Sequence, residues 1–192
     1  NGNSTDSSGN ENNGTDTAIT YGLGYGRFGQ GATFTSSATS NIHGTNSITY
    51  SNITYSLWVK INAQPASGSW FFFIDNTGAI DGGIAYLNNS GQYRLYVYPN
   101  WVEYQIPLNT WINIIGVSTA SNSKLYINGD MRYNTDSGRV GASTGYYIGN
   151  YHDLGSSYVT NGSIDEVIIE DTAWSAEKIK KYYTMTKGRF HL

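Results

Sequence analysis

Between residues 53 and 61, apolar and polar residues follow one another with a period of two. Tyr55, Leu57, Val59 and Ile61 fall on one face, because successive side chains of a strand point to opposite sides. Residues 70–74 (Trp70, Phe71, Phe72, Phe73, Ile74) form a continuous apolar run, the pattern of a strand covered on both faces. Shorter β-branched and aromatic runs occur at 48–50, 111–118, 145–149 and 163–170, and a glycine-punctuated stretch from Tyr25 ends in a strand at Phe34. Residues 83–87 and 92–98 read as a hairpin across 88–91. Asn128-Gly129, between 124–127 and 130–133, reads as a type I′ hairpin turn, whose two central residues both need positive φ.

One segment breaks the β pattern. Ser175 is placed to cap a helix, Glu177 falls in its first turn and Lys180 and Lys181 in its last, all in the sense that the helix dipole favours. Ile179, Tyr182 and Tyr183 share its apolar face. About a dozen short strands without repeat or linker predict one domain over 1–192: an all-β sandwich of two antiparallel sheets with one short C-terminal helix. Residues 1–17, almost wholly polar, read alone as a disordered leader.

Composition narrows the function classes. Charged residues make up 13% of the chain and the net charge is -3, so a nucleic-acid or anionic-membrane partner has no electrostatic basis. Cysteine is absent, which removes disulfides and thiolate metal sites. No apolar run approaches a membrane span, so membrane insertion is not expected. The sequence opens Asn1-Gly2-Asn3 without Met, as a mature product or an excised piece would. The sparsely charged, Ser/Thr/Asn/Tyr-rich composition points to an extracellular, cell-surface or virion-surface protein.

Five blocks, in order, resemble the laminin-G-like domains of the concanavalin A-like lectin/glucanase superfamily. They are residues 6–15, 27–34, 53–60, 124–129 and 162–183, with Trp111 where that family keeps a core tryptophan. The resemblance implies a jelly-roll sandwich. It also implies a structural Ca²⁺ held by Asp6, Asn10, Asn12 and Asp165, a set of hard oxygens of the kind calcium takes. On the bland reading Asp6 and Asn12 cap turns and Asp165 pairs with a backbone amide. The sequence departs from the family at Glu11, where glycine is usual, and it begins after the family's first strand. Either residues 186–192 or a strand from a neighbouring molecule would then fill that slot, the latter giving self-association.

Catalysis is not expected. Paired carboxylates for glycoside hydrolysis stand about 5–5.5 Å apart for retention or about 6.5–9.5 Å for inversion. Strand alternation sends adjacent Asp165 and Glu166 to opposite faces, Asp165 inward, and puts Glu166 and Glu170 about 13 Å apart. His43, His152 and His191 have no ligand-pair spacing. Sugar recognition needs aromatic faces beside amides and carboxylates. Trp58 and Trp111 lie on pattern strands and read as core. Trp101, in the turn 99–101, and the loop residues Tyr151, His152 and Asp153 are the candidate ligand-binding residues. The expected function is a non-catalytic recognition module binding a glycan or a surface protein. The alternative is a structural or assembly domain with no sugar ligand.

Overall fold

The computed structural model describes residues 2–35, 39–79, 82–155 and 157–188. Among them are β1 (Thr15–Thr17), β2 (Thr20–Gly22), β3 (Gly31–Phe34), β4 (Asn41–Tyr50), β5 (Asn52–Ile61), β6 (Trp70–Gly78) and β7 (Gly82–Asn89). They continue with β8 (Gln92–Val97), β9 (Asn100–Glu103), β10 (Ile112–Thr119), β11 (Ser123–Ile127), β12 (Asp130–Thr135), β13 (Gly141–Ile148) and β14 (Gly162–Glu170). One sheet has the order β1-β4-β13-β6-β7-β8-β9 and the other β12-β11-β10-β5-β14-β3-β2, with antiparallel neighbours throughout. The expected two-sheet sandwich is what forms.

The period-two signal is obeyed on β5. Tyr55, Leu57, Val59 and Ile61 all enter the main core between the sheets, packed with Phe71, Phe73, Ile84, Leu95 and Ile114. Asn128 (φ 53) and Gly129 (φ 76) make the expected turn between β11 and β12. Ser90 (φ 53) and Gly91 (φ 90) do the same between β7 and β8.

The helix α1 (Ala176–Lys187) starts where expected, with the Ser175 hydroxyl accepting the Lys178 N–H at 3.2 Å. It runs longer than Lys180 and Lys181 suggested, and Lys187 is the cation of its last turn. Ile179 is 0% exposed and packs with Ile115, Val117, Tyr126 and Trp174 on the outer face of the second sheet. Tyr183 stacks on Trp58, with ring centroids 5.9 Å apart. Trp58 is therefore buried under the helix and outside the main core. Thr186 and Lys187 complete this helix, so no strand begins at 186, and 189–192 lie outside the described residues.

Four other expectations need correction. Trp111 is half-buried, with the Lys60 ammonium 5.2 Å from its ring, because it precedes β10 instead of lying on it. The run 70–74 is not covered on both faces: Phe71 and Phe73 enter the core, while Trp70 and Phe72 face outward. On β14 the alternation fails at a bulge. Glu166 takes φ 52 and the register against β5 shifts between Asp165 and Ile168. Asp165 lies opposite Trp58 and accepts from the backbone beside Phe28, whose ring meets Trp58 edge-on, so it belongs to the outer side and not the inside.

The polar N-terminal stretch, lastly, is built into the fold. The Asp6 carboxylate accepts the Ser8 N–H (2.8 Å), the Ser8 hydroxyl (2.8 Å) and the Asn12 N–H (3.0 Å). Tyr146 donates to the Asn12 carbonyl at 2.7 Å, and β1 joins the sheet edge beside β4. Glu11 supplies the left-handed backbone that glycine would give, at φ 61. No helix among the described residues is long and apolar enough to cross a membrane.

Candidate functional site

Four neighbouring strands of the first sheet turn their alternate positions outward together. Phe72 stands opposite Ala85, Ala85 opposite Tyr96, and Tyr96 opposite Trp101. The adjacent row is Trp70, Leu87, Arg94 and Glu103. The residues between them, Phe71, Ile84, Tyr86, Leu95 and Val97 among others, are committed to the core, so register alone fixes this outer face. With strands about 4.8 Å apart, the line from Phe72 to Trp101 spans about 14 Å.

The rings on this face form an unbroken series. Centroid separations are 6.3 Å from Trp101 to Tyr96, 4.9 Å from Tyr96 to Trp70, 5.7 Å from Trp70 to Phe72 and 4.7 Å from Phe72 to Tyr151. Ala85 and Leu87 make the floor. Trp101 is 42% exposed, and the Arg94 guanidinium sits 4.2 Å over its ring.

The loop 150–161 closes the other end. It docks on β6 through its backbone: the Trp70 N–H donates to the Ser157 carbonyl (2.9 Å) and the Phe72 N–H to the Tyr158 carbonyl (3.1 Å). Tyr151 and Tyr158 both reach Phe72. Beside them, His152 joins the Asp75 carboxylate through its backbone N–H (3.1 Å) and its Nδ1 (2.8 Å). Asp75 is 1% exposed and the His152 side chain 36%.

The structure thus brings Trp101, Tyr151 and His152 onto one face, with Trp101 on the edge strand β9 and not in a turn. Asp153 is exposed, and its carboxylate accepts the Gly155 N–H of its own loop at 3.0 Å. Sequence reading missed Phe72, Tyr96, Tyr158 and Asp75. The alternation within 70–74 held the signal for Phe72, since it puts Trp70 and Phe72 on one side.

Asp6 accepts the Asn12 N–H, and both residues, with Asn10 and Asp165, are among those that border one cavity. The cavity measures about 760 Å³ and is also bordered by Gly31, Ala32 and Ile164, where β3 begins alongside β14. Ile48, Tyr50 and Tyr146 line its other side. Their side-chain oxygens are of the class a hard cation takes. Both carboxylates also accept N–H groups. Asp165 Oδ2 takes those of Arg27 (2.7 Å) and Phe28 (2.8 Å), and Oδ1 takes that of Glu166 (2.9 Å). Burial raises the Asp165 carboxyl above its ordinary range despite these bonds. Burial pushes Asp6 the same way, but there the bonds from Ser8 and Asn12 win and its carboxyl falls below 3.8. No group of three or more His, Asp or Glu side chains suited to a metal occurs among the described residues.

With this geometry in place, comparison with known proteins is informative. The Laminin_G_3 model, described as the concanavalin A-like lectin/glucanases superfamily, matches residues 28–180. The chain belongs to this family. The laminin-G-like domain also resembles solved structures. Domain 4 of AbnA, a GH43 extracellular arabinanase from Geobacillus stearothermophilus, solved with arabinotriose, is 21% identical with a TM-score of 0.66, covering 93% of this chain and 92% of that one. The botulinum neurotoxin serotype G binding domain is 16% identical with a TM-score of 0.70, covering 96% of this chain and 49% of the toxin domain. At these identities the likeness establishes the fold, and the domain spans about half of the toxin structure. No match was found among curated proteins.

Proposed function

We propose that this laminin-G-like domain is a non-catalytic carbohydrate-recognition module of a surface, adhesive or virion protein, acting outside the cell. The observation that carries the reading is the row Trp101–Tyr96–Trp70–Phe72–Tyr151 on the outer face of the first sheet. Aromatic faces stack on sugar C–H groups, while Arg94 beside Trp101 and His152 beside Tyr151 supply polar groups along the row, and Asp153 is a further candidate from the same loop. The arabinanase domain solved with arabinotriose supports a sugar ligand for this fold. Titrating arabinotriose and a panel of neutral oligosaccharides tests it. Binding that Trp101→Ala and Tyr151→Ala each weaken about tenfold is expected, and a flat response from the wild type across the panel would overturn it.

A second reading, assembly, has its own observation in the cavity beside β14, where an extended segment of a second copy would extend the sheet past Ile164. Light scattering that gives a monomer at every concentration removes it. Calcium bound by Asp6, Asn10, Asn12 and Asp165 is a further proposal, resting on their shared cavity. An ion held only by the native state raises stability, so a melting temperature unmoved by chelator would eliminate it.

A further inference from the structure

Asp75 is not among the groups a sugar would touch, yet it fixes the group that a sugar would meet at one end of the aromatic row. Its Oδ2 accepts the His152 backbone N–H at 3.1 Å and lies 2.8 Å from Nδ1 of the ring. An ionised carboxylate can only accept, so opposite Asp75 it is Nδ1 that carries the hydrogen. The imidazole has its two nitrogens on separate edges, so Nε2 lies away from the buried acid, and in the neutral ring it holds the lone pair. The ring sits 4.0 Å from that of Tyr151, the terminal ring of the row. With Asp75 at 1% exposure, the carboxylate is too deep to contact a ligand and reaches one through His152.

We infer that Asp75 is a positioning residue and His152 a specificity-determining one: Nε2 accepts a hydrogen bond from a hydroxyl of a neutral sugar whose ring packs against Tyr151. This rests on the carbohydrate reading above and deepens it. A neutral hydroxyl both donates and accepts, and it meets Nε2 by donating. A ligand offering only acceptors at that point, such as an O-methylated sugar, is disfavoured, because the lone pair would be buried against another acceptor.

The test has an arm without ligand and an arm with one. In the free wild-type domain, ¹⁵N chemical shifts of the histidine rings should report His152 as the Nδ1–H tautomer. The Nε2–H tautomer overturns the inference whatever the domain binds. In the second arm, arabinotriose and neutral tri- and tetrasaccharides are titrated. For a sugar bound by wild type, His152→Phe and Asp75→Val should each weaken binding about tenfold, the scale of one hydrogen bond. Asp75→Asn, which keeps an acceptor oxygen, should restore most of the affinity and the wild-type tautomer. If Asp75→Val fails to fold, His152→Phe and Asp75→Asn still decide. Binding within twofold of wild type in His152→Phe overturns this inference and leaves the carbohydrate reading intact. No binding by wild type overturns both.

Discussion

Two residues of the N-terminal loop carry opposite lessons. Glu11 occupies a backbone conformation that costs an L-residue roughly 1–2 kcal/mol. Glu11→Gly should raise stability in urea denaturation by about 1 kcal/mol, and an unchanged or lower midpoint would show that the turn holds no such cost. Asp6 has its carboxyl held low by its hydrogen bonds. Its contribution is thus present above pH 3.8 and lost as the pH falls through the lower folded value. Asp165, held high by burial, works in the other direction: its ionisation costs stability as the pH rises from 3.8 through the folded value. The melting-temperature gap between wild type and Asp6→Asn should accordingly be open at neutral pH and close in acid. Glu11 was legible as a departure from the family pattern, because a missing glycine is visible in sequence. The outward side of Asp165 was not, since the bulge at Glu166 depends on pairing with β5 and not on local residue types.

At the scale of elements, the helix was read correctly in its start, its N-cap and its buried face. Each of those depends on residues within four positions of one another. Its end was not legible, because what carries it to Lys187 is tertiary: Tyr183 stacks on Trp58 and Thr186 is buried. Ile179→Ala should cost about 3 kcal/mol, a buried aliphatic lost from a tight cluster. Ser175→Ala should cost about 1 kcal/mol through the cap alone. Both are read from denaturant midpoints. Equal losses would indicate that the helix is held by its cap more than by its packing. The strands tell the same story: β5 and the Asn128-Gly129 hairpin announce themselves locally. β9 and β1 exist only because a sheet edge is there to receive them.

For the whole molecule, one sheet is roofed by the helix and the other is left with an aromatic outer face. On that outer face Ala85, Leu87 and Tyr96 are buried, and Trp101, at 42%, is the exposed end of the aromatic row. Trp101 and Tyr151 could be singled out from sequence because they lie off the family's pattern. The row joining them could not, since it needs the register of four strands at once. Isothermal titration of the domain with neutral oligosaccharides, arabinotriose included, alongside Trp101→Ala, tests the central claim most directly. Saturable binding by wild type that Trp101→Ala weakens about tenfold, with the melting temperature unchanged, is the predicted result. Binding that persists at full strength in Trp101→Ala and Tyr151→Ala, or none by wild type to any sugar, would contradict the account.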